Sequence, residues 1–178
     1  MRKVMGVLAV AALFLPAVVL ASPAGAAAGT TCKTNTGTAT FTPALPPLSS
    51  TKTVNATVTS TGKLSHCVGG GVTGATYKTT YKVTAENCKK LLTYTTKTTT
   101  ATITTTWSNH KTSSGTITLI PIKGSPTKSN VTGVTKTGQF KGLHTTTQFS
   151  FKAASSTNCV TTPLGKVSVT GTKPVVIK

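Results

Sequence analysis

The sequence predicts an all-β protein, either an antiparallel β-sandwich or a β-barrel of about eight to nine strands with two disulfides. Three observations carry this prediction. After residue 28, more than a quarter of the residues are threonine, whose branched Cβ favours strands over helices. Several segments alternate strictly between apolar and polar residues, and turn-forming residues separate those segments.

The alternation is clearest in four segments, where it predicts strands with one dry face and one wet face. The predicted dry faces are Val54, Ala56, Val58 and Leu64; Tyr77, Tyr81 and Val83; Phe149 and Phe151; and Val167 and Val169. Polar residues, mostly threonine and lysine, occupy the alternate positions. A helical turn is expected only within 85–92, where Glu86 and Lys90 are four residues apart.

Turn signals recur between the predicted strands. They are Pro43 to Pro47, Gly69 to Gly71, Ser113 to Gly115, Gly124 to Pro126, and Gly142. No fixed repeat period is present in the sequence, which argues against a solenoid or a propeller.

Residues 1–28 have the pattern of a cleaved signal peptide. Arg2 and Lys3 form a basic start, residues 4–20 are apolar, and small residues at 24–28 offer a cleavage site. A membrane anchor is the alternative, but Pro16 interrupts the apolar run. We therefore expect residues 29–178 to form a single secreted domain, extracellular or loosely associated with the cell envelope, with no transmembrane segment after cleavage.

Four cysteines, Cys32, Cys67, Cys88 and Cys159, fit an oxidising compartment and predict two disulfides. Three connectivities are open to four cysteines. A hairpin of residues 33–42 and 53–63 would bring Cys32 beside Cys67, so we favour Cys32–Cys67 and Cys88–Cys159. The wide spacing of the cysteines does not suggest a zinc site.

Several segments together resemble a group of small secreted β proteins from actinobacteria that have no assigned function. The segments are Cys32 to Phe41, Val54 to Thr59, Cys67 to Ala75, Thr106 to Ser108, Gly133 to Gly142, and Cys159. The resemblance implies export, disulfide bonds and a β fold, and it supplies no catalytic residue.

Charge is the feature that most restricts function. Removal of Arg2 and Lys3 from the 19 basic residues leaves 17 lysines against a single acidic residue, Glu86, a formal charge of +16. Acid–base pairs, glycosidase carboxylates and carboxylate-rich metal sites are therefore missing. We expect no enzyme activity, no catalytic residue, no cofactor and no bound metal.

The remaining distinctive side chains have ordinary structural interpretations. We expect His66, His110 and His144 to be solvated beside turns, and Glu86 to pair with the nearby lysines. Trp107 is expected to pack in the interior rather than to stack on a sugar. The six threonines at even positions from Thr96 to Thr106 form a ladder that could bind a flat repetitive surface. The sequence shows only one such ladder, so a solvated face is preferred.

Two functional hypotheses follow. The first is a monomeric, non-enzymatic, cationic β protein whose lysines associate with anionic envelope polymers or lipids. The absence of arginine after residue 28 argues against sequence-specific nucleic-acid recognition. The alternative is a β-barrel carrier of a small apolar ligand, held by an interior around Tyr77, Tyr81, Phe149 and Phe151.

Overall fold

The computed structural model describes residues 28–93, 98–153 and 159–178, which contain eight strands and one short helix. The elements are β1 (Thr30–Leu45), β2 (Val54–Val68), β3 (Gly74–Glu86), α1 (Cys88–Thr93), β4 (Thr99–Trp107), β5 (Thr112–Ile122), β6 (Ser125–Gly138), β7 (His144–Ala153) and β8 (Leu164–Ile177). The predicted signal peptide lies, except for residue 28, outside the described residues.

The eight strands form a closed up-and-down barrel in which every strand pairs antiparallel with its sequence neighbours. β8 completes the circle by pairing antiparallel with β1. Closure leaves no free sheet edge, so the barrel alternative of the sequence prediction is confirmed and the sandwich alternative is excluded.

The alternation of apolar and polar residues in the sequence corresponds to side chains that point alternately into the barrel and toward solvent. Each predicted dry face points into the barrel, and the threonines and lysines at the alternate positions of these segments are directed outward, whereas Thr79, in phase with Tyr77 and Tyr81, is buried. Cross-strand register preserves this separation around the barrel, for example where Val58 lies opposite both Phe41 on β1 and Tyr81 on β3. A shift of one residue would reverse every side chain, so burial of the apolar face fixes the register.

One end of the barrel, here called the Trp107 end, is closed by a packed cluster. Trp107 is only 3% exposed, its indole N–H donates to Ser113 Oγ at 2.8 Å, and its ring meets Phe140 edge-to-face with centroids 4.8 Å apart. Leu64 and Ile177 belong to the same cluster. Trp107 is therefore an interior packing residue, as the sequence predicted.

The opposite end, here called the α1 end, is covered by longer connections. Cys88 at the start of α1 is disulfide-bonded to Cys159 in the β7–β8 connection. Backbone hydrogen bonds tie both cysteines to the β1–β2 connection, from Cys88 N to Pro46 O and from Leu48 N to Cys159 O. Three connections are thus linked over this end.

The second disulfide joins Cys32 and Cys67, which lie directly opposite each other on β1 and β2 at the Trp107 end. Both pairings favoured from the sequence are therefore confirmed. The bridged positions are 35 and 71 residues apart, and the two loops do not overlap along the chain.

One predicted turn is wrong. Ser113 to Gly115 lie inside β5, and the chain turns earlier, between Trp107 and Thr112. The register with β6 shifts between Ser114 and Gly115, and a Cβ at Gly115 would lie 2.3 Å from the carbonyl oxygen of Val134. This glycine marks an irregularity within a strand, where a neighbouring backbone approaches closely, and not a chain reversal.

The helical turn expected within 85–92 is present as α1, a helix of six residues. Its first turn is supported by the Asn87 side chain, which accepts a hydrogen bond from the backbone N–H of Lys90 at 2.9 Å.

No helix within the described residues has the length and apolar character needed to cross a membrane.

We expect removal of either disulfide to destabilise the barrel strongly. In the chain-entropy model, each bridge contributes about 4 kcal/mol by restricting the unfolded chain. The double variants C32S/C67S and C88S/C159S should each lower the free energy of unfolding by about this amount in urea titrations. A loss below about 1 kcal/mol in either variant would contradict the prediction.

Candidate functional site in the barrel interior

The barrel interior contains a cavity of about 140 Å³ between the two closed ends. Its walls come from all eight strands and from Leu91 of α1. The aromatic residues that line it are Phe41, Tyr77, Tyr81, Phe149 and Phe151. The four aromatic residues that the sequence placed in a carrier interior are thus brought together around one cavity.

The cavity wall changes in polarity along the barrel axis. Toward the α1 end, the wall is formed by Phe41, Val83, Phe151 and other apolar side chains, together with the acidic Glu86. At the middle level, polar side chains enter the wall, namely Asn35, Ser60, Thr79, Thr145 and Thr147. Beyond them lies the packed cluster of the Trp107 end. The interior is thus an apolar chamber with a polar floor.

Tyr77 extends from β3 across β2 to β1 and forms part of that floor. Its hydroxyl donates to Asn35 Oδ1 on β1 at 2.9 Å, although Tyr77 itself is on β3. The ring can lie along the wall because Gly62 and Gly37 occupy the positions beneath it. A Cβ at Gly62 would come within 2.5 Å of the Tyr77 ring, and one at Gly37 within 2.9 Å of its hydroxyl. Both glycines are required by this close approach.

Tyr81 presents a different case, because its hydroxyl takes part in none of the hydrogen bonds of the described residues. The ring packs among apolar side chains of the chamber, near Phe149. Burial raises the pKa of Tyr81 to about 12, and no hydrogen bond offsets the effect. Burial also raises the pKa of Tyr77 to about 12, against the lowering effect of its bond to Asn35.

Ser60 and Thr79 form a pair of hydroxyls directly opposite each other on β2 and β3. Both line the cavity, and Thr79 is only 5% exposed. Among the described residues, neither side chain makes a hydrogen bond within the protein. Buried polar groups are normally paired, so these hydroxyls face the cavity as available partners.

A second cavity of about 120 Å³ adjoins the first beneath α1. It shares Tyr81, Leu91 and Phe149 with the interior cavity, and it is also bordered by Lys82 and Thr84, which are exposed on the outer surface of β3. This second cavity is therefore bordered by both faces of β3 and is here called the passage beneath α1; residues 94–97, which connect α1 to β4, are not among the described residues. The passage occurs where pairing of β3 with β4 has ended, beyond Thr80 and Thr102.

The only acidic side chain of the sequence lies at this passage. Glu86 is 7% exposed, borders both cavities, and its Oε1 accepts a hydrogen bond from the backbone N–H of Asn87 at 3.2 Å. The ion pair expected between Glu86 and the nearby lysines stays a prediction. The structure adds that Glu86 is buried within the α1 end of the barrel.

The outer surface carries the charge. Every lysine within the described residues is exposed. Across neighbouring strands, these lysines lie opposite hydroxyl or amide side chains rather than one another; examples are Lys78 with Thr61 and Thr104, and Lys166 with Thr40. This arrangement keeps like charges from facing each other directly, which would be destabilising.

The threonine ladder of β4 has neighbours that the sequence did not reveal. Register aligns Thr40, Thr59, Thr80, Thr102 and Thr116 in one row across β1 to β5. The expectation of a single ladder is therefore wrong. An eight-stranded barrel turns by about 45° from strand to strand, so the row follows a curve and does not form a flat binding surface. Thr96 lies outside the described residues.

The other residues singled out in the sequence do not assemble into a site. His66, His110 and His144 are exposed, and His66 Nδ1 lies 3.3 Å from Thr34 Oγ1. All four cysteines are consumed by the two disulfides. In the described part of the chain, no group of three or more histidine, cysteine or acidic residues could hold a metal ion.

Sequence reasoning missed Asn35, Ser60 and Thr79. Thr79 has the same phase as Tyr77 and Tyr81, so the alternation already placed a polar residue on a dry face. Ser60 similarly follows Val58 in phase. A polar residue at an inward position was the signal that could have identified the floor of the cavity.

Comparison of the chain with protein-family models, with curated proteins and with solved structures gives no match in any of the three. The class of protein is therefore defined by the barrel and its cavity alone, and the resemblance to secreted actinobacterial proteins stays a prediction.

We expect the barrel to lose stability as the pH rises from about 10 to 12. Tyrosines in the unfolded chain ionise near pH 10, whereas Tyr77 and Tyr81 stay neutral in the barrel to about pH 12. The unfolded state then binds fewer protons, so the free energy of unfolding falls by about 2 to 3 kcal/mol for each tyrosine.

Urea titrations between pH 9 and 11.5, with tyrosinate absorbance near 295 nm, test this expectation. Tyr81→Phe should remove part of the pH dependence. Ionisation of both tyrosines near pH 10 in protein that keeps its β circular dichroism would disprove it.

Proposed function

We propose that this protein binds a small, mainly apolar ligand inside the barrel. The observation that carries the proposal is the partly enclosed cavity of about 140 Å³ among mainly apolar and aromatic side chains. Protein interiors are normally packed to the density of organic crystals, with few voids larger than a water molecule. Apolar cavities near this size remain dry and accept small apolar molecules.

The distribution of packing supports this choice. Both ends of the barrel are filled by buried clusters, one around Trp107 and Ile177 and the other around Leu45 and Leu164. The space between them is left to aromatic side chains that are only partly buried, including Tyr81, Phe149 and Phe151. Concave apolar sites with a few polar groups are the usual form of small-molecule sites, and barrel interiors are a frequent location.

The passage beneath α1 supplies a route to the cavity in this proposal. Leu91 borders both cavities, and α1 is fixed at its start by the Cys88–Cys159 disulfide. A ligand would enter between β3 and β4 and displace little of the packed structure.

A second proposal is association with extracellular polyanions, such as anionic envelope polymers or lipid headgroups. A formal charge of +16 after signal-peptide cleavage favours it, as do the exposed lysines on six of the eight strands, all but β4 and β5. Lys128, Lys152 and Lys166 lie at diagonal positions on β6, β7 and β8 and form one group of neighbouring lysines in the barrel wall. Such binding would be non-specific and sensitive to salt.

We expect Ala39→Leu to block ligand uptake. Ala39 lines the cavity, and a leucine there would extend into space that is now empty. Uptake of a fluorescent apolar probe by the wild-type protein should be independent of salt and should fall at least tenfold in the variant. The melting temperature should remain unchanged or increase, because the new side chain fills a void.

Thr40→Leu is the matched control, since Thr40 is the next residue on β1 and points to solvent. Equal uptake by wild type and Ala39→Leu would refute binding inside the barrel.

For the second proposal, we expect the oxidised protein to sediment with isolated cell envelope at about 150 mM salt and to be released by about 1 M. Substitution of Lys128, Lys152 and Lys166 by glutamine should lower the salt at which release occurs. A triple variant at the separated positions Lys52, Lys111 and Lys173, in the β1–β2 connection, the β4–β5 turn and β8, serves as control. Protein that stays in solution at about 150 mM salt would show that the charge serves another purpose.

A further inference from the structure

We infer that the ligand is a neutral, mainly apolar molecule that carries one hydrogen-bonding group, seated against the Ser60–Thr79 hydroxyl pair. The inference rests on the proposed function and specifies its ligand. It follows from four features of the interior, which are the pairing of the two hydroxyls, the absence of a cation in the wall, the polarity gradient and the size of the cavity.

The hydroxyl pair is a prepared polar site. Cross-strand register places Ser60 directly opposite Thr79, and side chains in such pairs have Cβ atoms about 5 Å apart. Both side chains line the cavity and neither is hydrogen-bonded to another described residue. Two hydroxyls that can donate and accept are suited to an alcohol, a carbonyl or an amide group.

The neighbouring Tyr77–Asn35 pair extends the polar floor. Tyr77 uses its hydroxyl proton on Asn35 Oδ1, while the Asn35 amide N–H groups make no hydrogen bond among the described residues. Asn35 therefore offers a further donor to a carbonyl oxygen, and the Gly37 and Gly62 positions hold this pair in place.

The charge of the interior disfavours an anionic ligand group, and the one carboxyl group in the wall, Glu86, already accepts a hydrogen bond from Asn87 N–H. No lysine or histidine is among the residues that line the interior cavity, and the only ionisable acid there is Glu86. A carboxylate or phosphate of the ligand would lie beside hydroxyl groups with no cationic side chain nearby. Burial of such an unpaired charge is costly. Every lysine of the described residues is exposed, so none of these lysines lies in the interior cavity to compensate for it.

The polarity gradient sets the orientation. Apolar walls around Phe41, Val83 and Phe151 extend from the α1 end toward the hydroxyl pair. The ligand therefore enters with its polar group leading and leaves its apolar part in the chamber. A volume of about 140 Å³ suits a molecule of about six to ten non-hydrogen atoms.

The pair also implies a conflict between stability and binding. The two hydroxyls are open to the cavity, since no fully buried side-chain polar atom of the described residues lacks a hydrogen-bond partner, and a bound ligand would give them one. Thr79→Val keeps the shape and removes the hydroxyl, so the empty variant should melt at a higher temperature than the wild type. A residue retained only for structure would show the opposite change.

The test compares 1-hexanol, hexane and hexanoate at pH 7, by calorimetry and by shifts of the Ile103, Ile117 and Leu119 methyl resonances. Thr79→Val should weaken 1-hexanol binding about two- to tenfold and leave hexane binding unchanged. Thr80→Val is the matched control, because Thr80 is adjacent and points outward. Hexanoate should bind at least tenfold more weakly than 1-hexanol to the wild type.

Ser60→Ala provides a second variant with the same expectation should Thr79→Val fail to fold. Equal weakening of 1-hexanol and hexane by Thr79→Val, or hexanoate binding as tight as that of 1-hexanol, would overturn the inference while leaving the cavity as a binding site. If none of the three molecules bound, the proposed function itself would be overturned.

Discussion

Pairing of β8 with β1 is the constraint on which the other features depend. Once the sheet closes, each residue of each strand must face either solvent or the interior, and the register allows no intermediate choice. Closure also fixes the interior volume, because eight strands enclose a space that side chains can nearly fill. Here the two ends are filled and the middle is not. The cavity therefore results from where the large side chains lie along the strands.

Closure of the barrel also gives the many lysines an outer surface on which to lie. The lysines of the described residues are exposed, and on the paired strands they lie opposite threonine, serine or glutamine, so they do not face one another directly. Their mutual repulsion still opposes compaction, and the two disulfides counter it by restricting the unfolded chain. Their placement at opposite ends stabilises the Trp107 end directly and holds α1 over the other end. The two disulfides thus stabilise the fold, and one of them also holds α1 beside the route to the cavity.

The cavity floor shows how polar residues can persist in a barrel interior. The Tyr77 hydroxyl is hydrogen-bonded to Asn35 Oδ1, and this arrangement requires glycine at positions 37 and 62 of the wall. Ser60 and Thr79 make no hydrogen bond to the described protein atoms and are left open to the cavity, whereas an apolar residue of similar size would place no polar group there. Polar groups inside a barrel are expected where a ligand is bound, because ligand binding requires them whereas stability of the empty barrel favours apolar residues.

The sequence by itself determined the β class, the inward phase of Val58, Tyr81, Phe149 and Val169, and both disulfide pairings, because period-two alternation and a local hairpin are short-range properties. It misplaced the turn at Ser113 to Gly115, since a glycine needed for close backbone approach looks like a turn glycine. It could not choose between sandwich and barrel, join Ser60 to Thr79, or place Glu86 at an interior passage. Those outcomes depend on closure and cross-strand register, which bring together residues far apart in the chain, and only the tertiary structure decided them.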